Sequence, residues 1–177
     1  MGTLTAESRV RGLSIWKGEI TVTPLKGGVS NASFTVSDAT GKYVARVGGD
    51  YPCHQVSRER EGIASRAAFE AGLSPEVMHI EPGLMVVRFL EARTYTEEDV
   101  RQNAGACVEI VQRCHRDMGK RITGQGAIFW VFQILRDYAG TLKAGRHRHV
   151  PELGRFMAIV DELEAAQVPL PIVFGHH

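Results

Sequence analysis

Four features of this 177-residue chain fall in the order that holding a phosphorylated nucleotide would require. The first is a glycine turn, Lys26-Gly27-Gly28-Val29-Ser30-Asn31, between two β-prone stretches. Gly27 and Gly28 let backbone N–H groups approach phosphate oxygens, and Ser30 and Asn31 add side-chain donors. The same residues also read as a plain hairpin turn, and they form neither a Walker loop nor a G-x-G-x-x-G loop. The second is Arg46, inside the apolar stretch Tyr43-Val44-Ala45-Arg46-Val47. A cation there needs a partner or a ligand, because burying an unpaired charge is expensive, unless the strand lies at an edge and Arg46 faces solvent. The third is Glu61, in the charge alternation Ser57-Arg58-Glu59-Arg60-Glu61. Most of these charges read as a solvated face. Glu61 adjoins the Gly62-Ile63 run that must meet the sheet, so it is the expected partner of Arg46, with Glu59 as the alternative. The fourth is Met85-Val86-Val87-Arg88-Phe89-Leu90-Glu91-Ala92, a strand that runs out into a polar linker. Such a connector offers bare backbone N–H and C=O groups to a flat ring such as adenine, whose faces can lie between aliphatic side chains.

The elements that must position these residues follow from periodicity. Residues 18–24, 33–36 and 43–47 are expected strands, the last two joined by Asp38-Ala39-Thr40-Gly41. A helix over 57–71 is expected to end at Gly72, and strands over 75–79 and 84–89 flank the Glu81-Pro82-Gly83 turn. That predicts five strands and one helix inserted after the third. The remainder reads as helices. Thr96-Glu97-Glu98-Asp99 resembles a capping box before a stripe of Val100, Ala104, Cys107, Val111, Cys114 and Met118. Residues 127–143 carry Ile128, Val131, Leu135, Tyr138 and Leu142, and Pro151 opens a helix expected to bury Leu153, Phe156, Val160 and Leu163.

Composition narrows the class. A net charge of +1 leaves no electrostatic footprint for nucleic acid and no polybasic membrane patch, and Arg146-His147-Arg148-His149 reads as a solvated loop. Cys53, Cys107 and Cys114 form no C-x-x-C pair, which argues against a zinc site or disulfide framework and for a cytoplasmic protein. No window has 18 continuous apolar residues.

Taken in order, Gly-Gly-x-Ser-Asn, Tyr-Val-Ala-Arg-Val, Arg-Glu before Ala-Gly-Leu-Ser-Pro, the strand and linker, Gln112-Arg113-Cys114-His115 and the terminal Phe174-Gly175-His176-His177 give the chain its likeness. It resembles the choline/ethanolamine kinase family, which shares its fold with the aminoglycoside phosphotransferases. The likeness runs over nearly the whole chain. It implies a protein-kinase-like α+β fold, with a five-stranded antiparallel N-lobe carrying one inserted helix over 1–92 and a truncated helical C-lobe over 93–177. It implies ATP as cosubstrate. Arg46 would be the phosphate-contacting cation and Glu61 its helix partner. Gly27, Gly28, Ser30 and Asn31 would lie against the phosphates, and Val87 with the backbones of Arg88 and Leu90 against adenine. His115 would be structural. His176 would be the histidine of a catalytic loop of the form His-x-Asp-x-x-x-x-Asn. The base and the magnesium ligands of that pattern are then expected beyond His177, so no metal ligand is assigned and the 177-residue chain alone is expected to be inactive. The ending also reads as a short buried strand followed by a tag remnant.

The implied reaction is transfer of the ATP γ-phosphate to the hydroxyl of choline, ethanolamine or a related amino alcohol, with Mg2+. The alternatives are an aminoglycoside, thiamine or sugar phosphotransferase of the same fold, or a non-catalytic nucleotide-binding module. Phe129, Trp130, Phe132 and Tyr138 concentrate aromatic rings in one expected helix. Phe129 and Phe132 are expected in the core. Trp130 falls off the apolar stripe and is the candidate face for a quaternary ammonium.

Overall fold

Alternation decides the sheet. In β2 (Ala32–Asp38), Phe34 and Val36 are buried while Ser33, Thr35 and Ser37 lie on the other face. β3 (Gly41–Val47) repeats this, with Tyr43, Ala45 and Val47 buried. The two strands pair antiparallel through the two-residue turn Ala39-Thr40, with Asp38 opposite Gly41. With β1 (Thr21–Leu25), β4 (Val77–Glu81) and β5 (Leu84–Arg88) they form one antiparallel sheet in the order β1-β2-β3-β5-β4. The computed structural model describes residues 5–26, 31–124 and 129–168. These fall into two compact units, Met1–Gly126 and Ala127–His177, so the first two helices after the linker belong with the sheet. No helix among the described residues is long and apolar enough to cross a membrane.

One face of the sheet carries the core. Phe34, Val36, Tyr43, Ala45, Val47, Leu84 and Val86 pack with Val10, and Leu13, Ile15 and Trp16 close the layer. Val10 belongs to a helix absent from the sequence expectation, α1 (Ala6–Arg11), capped by Thr5 and braced by a Glu7–Arg11 pair. At six residues it is too short for periodicity to show. It is held by its one buried side chain, by the Trp16 indole donating to the Val10 carbonyl at 2.7 Å, and by Arg9 donating to Glu81 at 3.1 Å.

The inserted helix, α2 (Arg58–Glu70), follows β3 as expected. Ser57 caps its start. Gly72 N–H reaches the Phe69 carbonyl and Leu73 N–H the Ala68 carbonyl, both at 2.8 Å, closing the C-terminal motif foreseen at Gly72. The helix lies on the sheet face opposite the core. Gly62 permits the approach, because a Cβ there would stand 3.1 Å from the Ile80 side chain of β4.

The expected single stripe from Val100 to Met118 is broken. The Thr96–Asp99 capping box forms and starts α3 (Glu97–Gln102). Asn103 then leaves helical geometry, its side chain donating to the Asp99 carbonyl at 2.8 Å, and α4 (Ala104–Arg113) begins anew before a π turn over Cys114–Met118. In the second unit, α5 (Val131–Ala144) buries Phe132, Ile134 and Ala139 rather than the expected stripe of Val131, Leu135, Tyr138 and Leu142. The last helix, α6 (Leu153–Ala165), buries Leu153 and Val160, but Phe156 and Leu163 are exposed. Two helices packed on each other can each bury only one narrow face, so the wide apolar stripes are not fully covered within the unit.

Two stability predictions follow from the turns. Gly83 has φ +73 in the Pro82-Gly83 turn, and a Cβ there would meet the Gly48 carbonyl oxygen at 2.9 Å. Gly83→Ala is expected to cost about 1–3 kcal/mol in a urea titration, and an unchanged midpoint would contradict this. Asp38 accepts from the backbone of Lys17, Thr40 and Gly41. The Lys17 N–H first, with those of Thr40 and Gly41, holds its carboxyl at about 2, below its ordinary 3.8. A lowered folded pKa gives stability that is present above the unfolded value and lost as pH falls through the folded one. Stability should therefore drop between pH 3.8 and about 2, and Asp38→Ala should remove that part of the pH dependence.

Candidate functional site

The period of two that buries Ala45 and Val47 sends Arg46 to the α2 side, between Ser33 of β2 and Met85 of β5. Its apolar sequence neighbours are on the other face. Arg46 Nη1 lies 2.8 Å from Glu61 Oε1, so the cation and the carboxylate expected from the sequence are paired. The Arg46 side chain is 41% exposed and that of Glu61 23%. Asn31 lines the same small hollow as Arg46, Glu61 and Met85. Glu59, the alternative partner, instead lines larger hollows of about 490 and 750 Å³ beside the β3–α2 loop.

Val87 is the cross-strand partner of Val44, and both are half-buried on the face that carries Arg46. Arg88 points its side chain the other way, to Glu76 at 2.8 Å, and its N–H is taken by the Glu76 carbonyl. Only its carbonyl is therefore offered to a ligand in the role foreseen for its backbone. Leu90 is exposed and gives its carbonyl to Ala92 N–H at 2.9 Å. The linker is held by a residue that sequence reading passed over, Lys42. Its carbonyl accepts from Phe89 N–H, its Nζ stands 3.8 Å over the Phe89 ring, and the same Nζ pairs with Glu91. Beyond Ala92, Arg93 binds Asp99 and keeps its carboxyl well below the usual range, which orders the entry to α3.

Arg58 was also passed over, as part of a solvated charge run. Its side chain is 11% exposed and donates to Glu61 Oε2 at 2.6 Å, so one carboxylate carries two arginines. No local signal separated Arg58 from Arg60, because the alternation Arg-Glu-Arg-Glu looks the same on either side of the helix. Gly27, Gly28, Ser30 and His176 lie outside the described residues. His115 sits at an exposed position of the π turn.

The aromatic group is arranged differently from expectation. Phe129 and Trp130 precede α5 rather than belonging to it, and Phe129 is 68% exposed instead of being core. Phe132 is buried as expected and meets Trp130 edge-on at 5.2 Å. The Trp130 indole N–H donates to Glu164 Oε1 at 2.7 Å, and Arg136 binds both Glu164 and Asp161 across the α5–α6 pair. Arg136 first, and Trp130 after it, hold the Glu164 carboxyl below its ordinary value. These carboxylates are committed to the clamp between two helices.

A five-stranded antiparallel sheet, a helix inserted after the third strand, and a strand cation paired to a carboxylate of that helix together define a kinase-like α+β fold. No protein-family model matches the chain, and no curated protein matches it. Solved structures do. An ethanolamine kinase from Plasmodium vivax superposes with a TM-score of 0.62 at 14% identity, over 83% of this chain and 46% of that one. A choline kinase from Cryptosporidium parvum Iowa II gives 0.59 at 16%, over 82% and 44%. The chain thus has the fold of choline and ethanolamine kinases and spans less than half the length of either structure.

An ion pair this exposed contributes about 1 kcal/mol or less to folding. Arg46→Ala is therefore expected to shift the urea midpoint far less than Gly83→Ala does. A loss as large as that of Gly83→Ala would show that the pair is structural.

Proposed function

We propose that this chain carries the nucleotide-binding part of an ATP-dependent phosphotransferase that acts on the hydroxyl of choline, ethanolamine or a related amino alcohol. The observation that supports it most is the Arg46–Glu61 pair on the open face of the sheet. A guanidinium held by a carboxylate at a half-exposed position keeps its direction while other donors stay within reach of phosphate oxygens. The residues fit ATP in two further respects. Asn31 lines the same hollow as the pair, and the half-buried Val44 and Val87 offer aliphatic contact to a purine ring near the Phe89–Ala92 linker.

In this reading Arg46 contacts the transferred end of the triphosphate, Glu61 orients Arg46, and Gly27, Gly28 and Ser30 are assigned to the phosphates on the sequence resemblance alone. Val87, the Arg88 carbonyl and the Leu90 amide receive adenine. The functional division between lobes lies after Ala92. Bound magnesium supplies neutralisation of the charge on the phosphates. The resemblance to the His-x-Asp-x-x-x-x-Asn loop leads us to expect the magnesium ligands and the base after His176. The amino-alcohol acceptor is supported by the fold shared with ethanolamine and choline kinases.

The 177-residue chain is expected to bind ATP without producing ADP. Arg46→Ala should weaken ATP binding about tenfold or more, the size expected when a charge-assisted hydrogen bond is lost. Calorimetric titration and an ADP-release assay check both. Undetectable binding of millimolar ATP would contradict the reading, as would turnover at about 1–100 per second. For the acceptor, a form of the protein that contains an aspartate two residues after His176 should be offered choline, ethanolamine, thiamine and kanamycin at equal ATP. Choline or ethanolamine should give the highest kcat/KM, and a tenfold advantage for kanamycin or thiamine would overturn the acceptor assignment.

A further inference from the structure

Glu61 is shared. Arg46 approaches Oε1 at 2.8 Å, and Arg58 donates to Oε2 at 2.6 Å. Arg58 is the more deeply set of the two cations, 11% exposed against 41%. It is also fixed from other directions: its Nε donates to the Gly49 carbonyl at 2.9 Å, and its backbone N–H donates to Asp50 Oδ1 at 2.7 Å. Arg58 is the first residue of α2, where the helix dipole disfavours a positive charge. The dipole therefore opposes this placement, while the contacts to Glu61 and to the β3–α2 loop account for it.

Two consequences follow for the carboxylate. Left with Arg46 alone, Glu61 could turn both oxygens onto one guanidinium in the bidentate geometry that arginine and carboxylate favour. With Oε2 taken by Arg58, Arg46 is held on the other oxygen. Among the described residues Glu61 is the one ionic partner of Arg46. The charge count changes as well. Two arginines and one glutamate sum to +1, whereas Arg46 and Glu61 alone sum to zero. A phosphate arriving at Arg46 meets a net positive site in the first case and a neutral pair in the second.

We propose that Arg58 is a positioning residue that holds Glu61 by its second oxygen, so that Arg46 stays singly paired and turned toward phosphate. The proposal rests on the nucleotide reading of this site. Its test is arranged so that the two can fail separately.

Arg58→Ala, Arg58→Lys and Glu61→Gln are prepared in the full chain. The first readout needs no nucleotide: the Arg46 Nε–Hε resonance in guanidinium NMR spectra. It should shift in Glu61→Gln and also in Arg58→Ala, and return most of the way in Arg58→Lys, which keeps the charge. An unmoved Arg46 resonance in Arg58→Ala overturns the proposal, even if ATP binds. The second readout is affinity for ATP and for AMP. Arg58→Ala should weaken ATP at least fivefold and AMP less than twofold, with Arg58→Lys recovering most of the difference. Equal weakening of both nucleotides, in step with a lowered Tm, would mean that Arg58 only anchors the loop and would overturn the proposal. If Arg58→Ala does not fold, Arg58→Gln is read on both measurements with the same expected outcomes, and an unmoved Arg46 resonance there overturns the proposal. A wild-type chain that binds neither nucleotide would refute the nucleotide reading, and the NMR comparison would still decide the role of Arg58.

Discussion

The constraint on which the site depends is the two-residue period of β3. Tyr43, Ala45 and Val47 must face the core, and this leaves Val44 and Arg46 on the opposite face with no freedom to change sides. A register slip of one residue would bury the guanidinium among Phe34, Val36 and Val86. The same apolar burial that stabilises the sheet thus fixes where the cation stands. Its partner comes from the helix that immediately follows, so a short stretch of chain from Val44 to Glu61 holds both members of the pair and the loop between them.

The rest of the first unit keeps that geometry in place. The missing side chain at Gly62 lets α2 sit close on Ile80, which in turn opposes Met85, the neighbour of Arg46 in the sheet. The Ser57 cap and the closing bonds at Gly72 and Leu73 set the ends of the helix. Arg113 donates to the Ala71 carbonyl at 2.9 Å, tying α4 to the end of α2. Lys42, one turn of alternation before Val44, fixes the linker that leaves β5. The individual contacts are modest and largely exposed. They act together because they all brace one sheet, in whose core Val10, Val36 and Val86 are fully buried.

Much of this was legible in the sequence, for physical reasons that differ by residue. The strands were visible because alternation is a strong local signal, and Arg46 was conspicuous because a charge interrupts an apolar run. Glu61 could be chosen over Glu59 because it adjoins Gly62 and Ile63, the part of the helix that meets the sheet. Arg58 could not be chosen over Arg60. Its importance comes from the Gly49 carbonyl and the Asp50 carboxylate, which fold back onto it from the preceding loop. Lys42 was hidden for a like reason, since its partners Phe89 and Glu91 are far along the chain. The helical stripes were over-read. Hydrophobic periodicity in α4, α5 and α6 shows which side is apolar but not how wide a face the neighbours cover, and so Phe156, Leu163 and Val111 are exposed. Phe129 failed as a core residue because the chain enters helical geometry only after Trp130.

The central claim is that Arg46 and Glu61 act as one unit on a nucleotide phosphate. A double-mutant cycle with Arg46→Ala and Glu61→Gln, read on ATP affinity, tests it most directly. If Glu61 acts only by orienting Arg46, the double variant should bind ATP no more weakly than Arg46→Ala alone. Fully additive losses, or ATP affinity indifferent to both substitutions, would contradict it.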